Sequence, residues 1–168
     1  EHNSLLTNLF LGDNSIYSIE RSAFRNLYQL QFLNLSFNRI EYFGQNLFDY
    51  DLIESNLIQL DLRHNQLKKF EILNTFIKLL SILLSFNQIK DLRVNIRDTV
   101  IRDYHLEHNQ LTEITVLTFQ NFFKYMTNIY FSFNRIERIE NLSFFSLNQV
   151  KFLDLSHNFL TYFENQTF

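Results

Sequence analysis

Apolar side chains along this chain fall into one recurring string. Between Leu30 and Phe48 the sequence LQFLNLSFNRIEYFGQNLF places leucine at Leu30, Leu33 and Leu35, then Asn38, then Ile40, Phe43 and Phe48. Written as a pattern, this is L-x-x-L-x-L-x-x-N-x-[IL]-x-x-[ILF]-x4-F. The asparagines that mark its repeats are Asn14, Asn38, Asn65, Asn87, Asn109, Asn134 and Asn158, at intervals of 24, 27, 22, 22, 25 and 24 residues. Around each of them the apolar residues keep their offsets, as in Leu6, Leu9, Leu11, Ile16 and Ile19 of the first unit or Val150, Leu153, Leu155, Leu160 and Phe163 of the seventh. A period of this length predicts a solenoid, in which each unit buries its apolar side by stacking on its neighbours.

The local physics follows from the offsets. Leu33-x-Leu35 alternates with period two, so each unit carries a short strand with one buried face. Seven such strands are expected to lie parallel. The asparagine three residues after the second leucine closes the turn, where its amide can pair backbone groups that have left the strand ladder. Ile40 and Phe43 then cover the far side of the core. Phe48 fills the wide back, and Phe24, Phe76, Phe119, Phe144 and Phe168 stand at the same offset or one beyond it. A column of such rings buries a large area and favours offset ring contacts.

These residues resemble the leucine-rich repeat family in its 24-residue form, and the resemblance covers essentially the whole chain. The variant with phenylalanine at the back is similar to the repeats of Toll-like receptors and Slit-like adhesion proteins. The resemblance implies an α/β solenoid rich in β structure. Its expected form is a right-handed horseshoe with a parallel sheet on the concave face and irregular or 3-10 turns on the convex face. One departure is at the place after the fourth apolar position, where the family often has proline. Here it holds Glu20, Glu71, Glu140 and Glu164, with Gly44, Arg93 and Thr115 in the other units. The units centred on Asn65 and Asn87 are short, the segment 49–55 is an acidic insertion, and Arg93–Val100 replaces the back phenylalanine of the fourth unit. Residues 1–168 are read as one domain. Neither terminus has the polar look of a cap, so the expectation is an interior portion of a longer array whose ends associate, with dimerisation as one outcome.

Composition narrows the functional classes. At 46% hydrophobic the chain can bury a core. Its 15 basic and 18 acidic residues give a net charge of −3, which argues against a general nucleic-acid or membrane-surface binder. No apolar run approaches the roughly 20 residues of a spanning helix. Cysteine is absent, which fits a reducing compartment or a segment of something larger.

The solvent-facing places of the strands form three lanes, and the family resemblance makes the concave face the expected site for a protein ligand. The middle lane reads Phe10, Asn34, Asp61, Leu83, His105, Tyr130, Asp154. Its flanks read Asn8, Phe32, Gln59, Ser81, Asp103, Asn128, Phe152 and Gly12, Ser36, Arg63, Ser85, Glu107, Ser132, Ser156. The candidate contact residues are Phe10, Phe32, Asp61, Arg63, Asp103, His105, Glu107, Tyr130, Phe152 and Asp154, since aromatic residues and arginine are enriched where binding energy concentrates. Asp103, His105 and Glu107 share a strand face, but alternate residues sit roughly 6.5–7 Å apart, too far for a tight metal site on their own. Ser85 allows a Ser–His–Asp grouping to be drawn, yet no oxyanion donor set accompanies it. No catalytic role, cofactor or metal is therefore assigned. His64, His108 and His157 occupy one place before the asparagine, alternating with phenylalanine. Asn34, Asn141 and Asn165 head N-x-[ST] triplets and are candidate glycosylation sites. Lys68, Lys69, Lys78, Lys90, Arg93, Arg97 and Arg102 cluster mid-chain, as on a solvated outer face. The reading that follows is a protein-binding module of an extracellular receptor or adhesion protein. The alternative is an intracellular scaffold or regulatory subunit.

Overall fold

In the computed structural model the described residues are 5–44, 47–48, 55–70, 76–91, 100–119, 125–165 and 167. Each unit contributes one three-residue strand to a continuous parallel sheet. These strands are β1 (Asn8–Phe10), β2 (Phe32–Asn34), β3 (Gln59–Asp61), β4 (Ser81–Leu83), β5 (Asp103–His105), β7 (Asn128–Tyr130) and β9 (Phe152–Asp154). They lie in sequence order across the sheet, β1-β2-β3-β4-β5-β7-β9. Register is constant: the central residues Leu9, Leu33, Leu60, Ile82, Tyr104, Ile129 and Leu153 pair in one row. That row is the buried face of each strand, fully covered from Leu33 to Ile129. Leu9 and Leu153 are only partly buried, with a neighbouring layer on one side alone.

The asparagine turn locks each coil to the previous one. The Asn87 amide nitrogen donates to Leu62 O at 2.9 Å in the preceding unit and to Leu84 O at 3.0 Å in its own. Its oxygen accepts the Leu67 N–H at 3.0 Å. Asn38, Asn65, Asn109, Asn134 and Asn158 repeat this set. Among the described residues, Asn14 donates within its own turn, to Leu11 O and Gly12 O, and it is exposed. From Asn38 to Asn134 the side chains are buried, so the amides satisfy backbone groups that water cannot reach.

Behind the turns the core is filled by the expected phenylalanines. Phe24, Phe48 and Phe76 form one run, with ring centroids 5.1 Å and 5.3 Å apart, and Phe119 and Phe144 another at 5.6 Å. Phe43 stacks on Phe70 at 6.2 Å in a parallel layer. The back ring expected of the seventh unit, Phe168, residues 49–54 of the acidic insertion and the segment 92–99 fall outside the described residues.

The convex side departs from the irregular pattern expected there. β6 (Glu113–Ile114) and β8 (Arg138–Ile139) pair in parallel as a second, two-stranded sheet. Both isoleucines stand five residues after their ladder asparagine, so consecutive coils present β-branched residues in register, where strand pairing is favoured. A Lys69–Asp91 bridge occupies the same place in earlier coils. The expected 3-10 element appears at Val116–Phe119, which buries Thr118 and Phe119.

The ladder gives a direct test. Asn87→Ala is expected to lower stability by roughly 1–3 kcal/mol, because backbone partners in two coils lose their pairing. Asn165→Ala, at an exposed turn, should stay within about 0.5 kcal/mol of the parent. Urea denaturation followed by circular dichroism measures both, and coincident midpoints would remove the ladder from the stability of the fold.

Candidate functional site

The concave lanes are built by the sheet register itself. Each strand holds its first and third residues outward, and the pairing Phe10↔Asn34, Asn34↔Asp61, Asp61↔Leu83, Leu83↔His105, His105↔Tyr130 and Tyr130↔Asp154 makes the middle lane continuous. The third lane extends it through backbone bonds beyond the strands, such as His64 N to Ser85 O at 3.0 Å and Phe86 N to Glu107 O at 2.9 Å.

The lanes are not uniformly open, as the alternation alone suggested. Phe10 is 67% exposed and Phe152 47%, whereas Phe32 and Tyr130 are half-buried. Asp61 is only 4% exposed. Arg63 folds back over it, donating Nε to Oδ1 at 3.0 Å and a terminal nitrogen to Oδ2 at 2.7 Å. That hydrogen bond raises the guanidinium above its usual range, against the opposing effect of burial. Ser36, Ser85 and Ser132 are also buried, because the strands lie close enough for longer side chains of adjacent lanes to cover small ones. Asn34 uses its side-chain oxygen to accept the Ser36 N–H at 2.8 Å and hydroxyl at 2.7 Å.

The structure does bring His105 and Glu107 together. Nδ1 of His105 lies 3.0 Å from Oε1 of Glu107, and Ser85 donates its hydroxyl to Oε2 at 2.6 Å. Burial pushes the Glu107 carboxyl up, but the bonds from His105 and Ser85, its own backbone bond and the nearby imidazole outweigh this, leaving it below the usual carboxylate range. Asp103 accepts instead from Asn128. The three residues thus form no compact triad. Among the described residues, no group of three or more His, Asp or Glu stands close enough to hold a metal ion. Next to Glu107 the His105 ring stacks on Tyr130 at 4.2 Å, and Tyr130 meets Phe152 at 4.9 Å. Asp154 closes this region, accepting the Ser156 N–H at 2.9 Å. Burial raises its pKa, but the Ser156 and Ser132 hydrogen bonds and the His157 charge outweigh this and leave it below the usual carboxylate range.

Beside the lanes, the alternating phenylalanine and histidine places noted in the sequence form a stacked column, which the spacing alone did not predict. Phe37, His64, Phe86, His108, Phe133 and His157 stack face to face at 4.1, 4.2, 4.1, 4.3 and 4.1 Å, with interplanar angles of 8–12°. All six have φ between 52° and 60°, a conformation uncommon outside glycine. The Phe86 ring separates His64 from His108, and Phe133 separates His108 from His157. The signal was present in the alternation of SFN, RHN and EHN, but only the register turns it into a column. A slot of about 400 Å³ lies between this column and the middle lane, with Arg63 and Glu107 among its lining residues and Ser85 and Ser132 at its base.

The glycosylation candidates differ in setting. Asn34 lies on the concave sheet, Asn141 is half-buried, and Asn165 is exposed. The hydroxyls of Ser143 and Thr167 donate to Glu140 O and Glu164 O, at 2.5 and 2.8 Å, in equivalent turns of consecutive coils. Those hydroxyls therefore have a structural role whether or not a sugar is attached. In the mid-chain basic group, Lys68 pairs with Glu41 at 3.2 Å and Lys78 reaches Asn56 at 2.6 Å, while Arg93 and Arg97 lie outside the described residues. No helix among the described residues is long and apolar enough to cross a membrane.

A family model described as leucine rich repeat matches residues 4–50 and 102–168. The chain belongs to the leucine-rich repeat family. Among solved structures, the repeat chain is similar to one in the Toll–Spatzle complex of Drosophila, with 26% identity over 93% of this chain and a TM-score of 0.69. It covers 21% of that chain. A chain of the LRIM1/APL1C complex shares 18% identity over 91% of this chain and 40% of its own, with a TM-score of 0.36. An internalin from Listeria monocytogenes shares 14% over 92% of this chain and 68% of its own, with a TM-score of 0.37. A search of curated proteins finds no match.

The Glu107 environment has a pH consequence. A carboxyl held below its unfolded value contributes stability that is present above the ordinary carboxylate range and is lost as pH falls through the folded value. Glu107→Gln is therefore expected to flatten the acid limb of stability below about pH 5 relative to the parent. Thermal melts between pH 3 and 7 read this directly, and parallel curves for the two proteins would contradict it.

Proposed function

We propose that this repeat chain binds a protein ligand on its concave sheet, as the ligand-recognition part of an extracellular receptor or adhesion protein, in the manner of innate-immune recognition. The observation that carries the reading is the likeness to the Toll chain, which extends over nearly all of the present chain and whose structure was solved as a complex with Spatzle. The concave face supports it with Phe10 and Phe152 standing exposed at its two ends and a stacked His105–Tyr130 pair between them. Aromatic groups of this kind supply large contact area at low conformational cost. The exposed Asn165 is the candidate glycan acceptor that leaves the concave face clear.

Two measurements test the reading. Expressed behind a secretory leader in animal cells, the protein is expected to leave the cell folded and with a glycosidase-sensitive mass shift that Asn165→Gln removes. Retention inside the cell as unfolded protein would count against the extracellular assignment. Captured ligand, assayed by staining of intact cells with the tagged protein, is expected to fall at least tenfold with Phe10→Ala plus Phe152→Ala. It should be unchanged with Tyr42→Ala plus Phe145→Ala, exposed residues away from the concave lanes. The reverse result would move the binding face off the sheet.

A further inference from the structure

Charge is distributed unevenly between the concave lanes and the rest of the molecule. The lanes hold four carboxylates, Asp61, Asp103, Glu107 and Asp154, and one guanidinium, Arg63, a net of −3 that equals the formal charge of the whole chain. The remaining 14 of the 18 acidic and 14 of the 15 basic residues balance. Arg63 is paired in bidentate fashion with Asp61, so those two cancel locally. The remaining charge of the lanes sits on Asp103 of β5, on Asp154 of β9 and on Glu107, two residues beyond the end of β5. Two strand steps span roughly 10 Å, and alternate residues on a strand roughly 6.5–7 Å. A single cationic head above Tyr130 would therefore lie within a screening length of all three.

The same region is shaped for a long side chain. The ring faces of Tyr130 are occupied by His105 and Phe152, so a ligand meets ring edges. Ring edges carry partial positive charge and do not attract cations. They offer hydrocarbon contact to the methylene stem of lysine or arginine, leaving the head to the carboxylates. Each carboxylate is already positioned by a neighbour: Asp103 by Asn128, Glu107 by Ser85 and His105, and Asp154 by the Ser156 backbone. Such pre-positioning reduces the ordering cost of binding. The other half of the face contrasts with this, because Phe10, Phe32, Asn34 and Gln59 carry no charge.

We infer that the concave face selects its protein partner through a basic segment, whose ammonium or guanidinium heads lie among Asp103, Glu107 and Asp154 and whose stems run along Tyr130 and Phe152. This rests on the concave-binding reading above and adds the chemistry of the partner. Neutral uncharged stretches of the same partner would cover the Phe10 and Phe32 end. Association of this kind is fast at low salt and weakens as salt rises.

Fluorescence anisotropy with two labelled probes tests it: a dodecapeptide alternating arginine and serine, and one alternating glutamate and serine. The basic peptide is expected to bind at 50 mM salt and the acidic one not to. Glu107→Gln plus Asp154→Asn should weaken the basic peptide at least tenfold. Glu113→Gln plus Glu137→Gln makes the same change of net charge on exposed residues outside the lanes and should weaken it less than twofold. Should the first pair lower the melting temperature, Asp103→Asn plus Asp154→Asn provides the same reading. Equal loss in the concave and outer pairs, binding of the acidic peptide, or no binding of the basic one would overturn the proposal. If the cell-surface ligand depends on Phe10 and Phe152 but is indifferent to Glu107→Gln plus Asp154→Asn, concave binding stands and the basic partner is excluded.

Discussion

From the second coil to the sixth, each coil is tied to the one before it by a buried asparagine amide, and the seventh by the half-buried Asn158. The strands are only three residues long, too short to form a stable sheet alone. Between strand and convex side the chain must turn, and its carbonyls and N–H groups then face the core. An unpaired backbone group there costs free energy comparable to a lost hydrogen bond. Asn65 shows how one side chain removes the problem: it donates to Leu35 O and Leu62 O and accepts from Ile40 N, with all three distances between 2.9 and 3.1 Å. The stacking distance, the register and the alignment of the apolar rows follow from repeating that set.

Once register is constant, any residue type repeated at one place becomes a column. Inside the solenoid this produces the phenylalanine packing of Phe24, Phe48 and Phe76, where burial supplies the stabilisation. At the edge it produces the alternating phenylalanine and histidine stack from Phe37 to His157. Here the rings are partly exposed and the backbone adopts positive φ, so the stack orders a surface that would otherwise hold separate flexible side chains. His64 is held below the usual imidazole range by burial and by the Arg63 charge, with Asp61 opposing and His108 adding to the shift.

The concave face combines these effects with charge. Arg63 and Asp61 neutralise each other, while Glu107 remains ionised through His105 and Ser85. The face therefore divides into a neutral aromatic end and an acidic aromatic end on one rigid sheet.

Much of the architecture was legible in the chain itself. The offsets of Leu33, Leu35, Asn38, Ile40 and Phe48 identified strand, turn and back, because a period-two pair, an amide at the turn and a large ring each have one place in a repeating coil. The seven strands and their order followed, and so did the lanes, since register in a solenoid is set by the repeat. What tertiary structure alone decided concerns contacts between coils. Asp61 and Ser85 alternate outward like Phe10, yet Arg63 and Glu107 from their own or a nearby strand engage them and leave them buried. His105 and Glu107 are two residues apart and meet, whereas Asp103 at the same spacing turns to Asn128 on the next strand. The β6–β8 ladder likewise needed two coils of matching length on the convex side. Sequence spacing fixes where a side chain leaves the backbone, but its rotamer and its neighbour across a strand gap of roughly 4.8 Å decide what it touches.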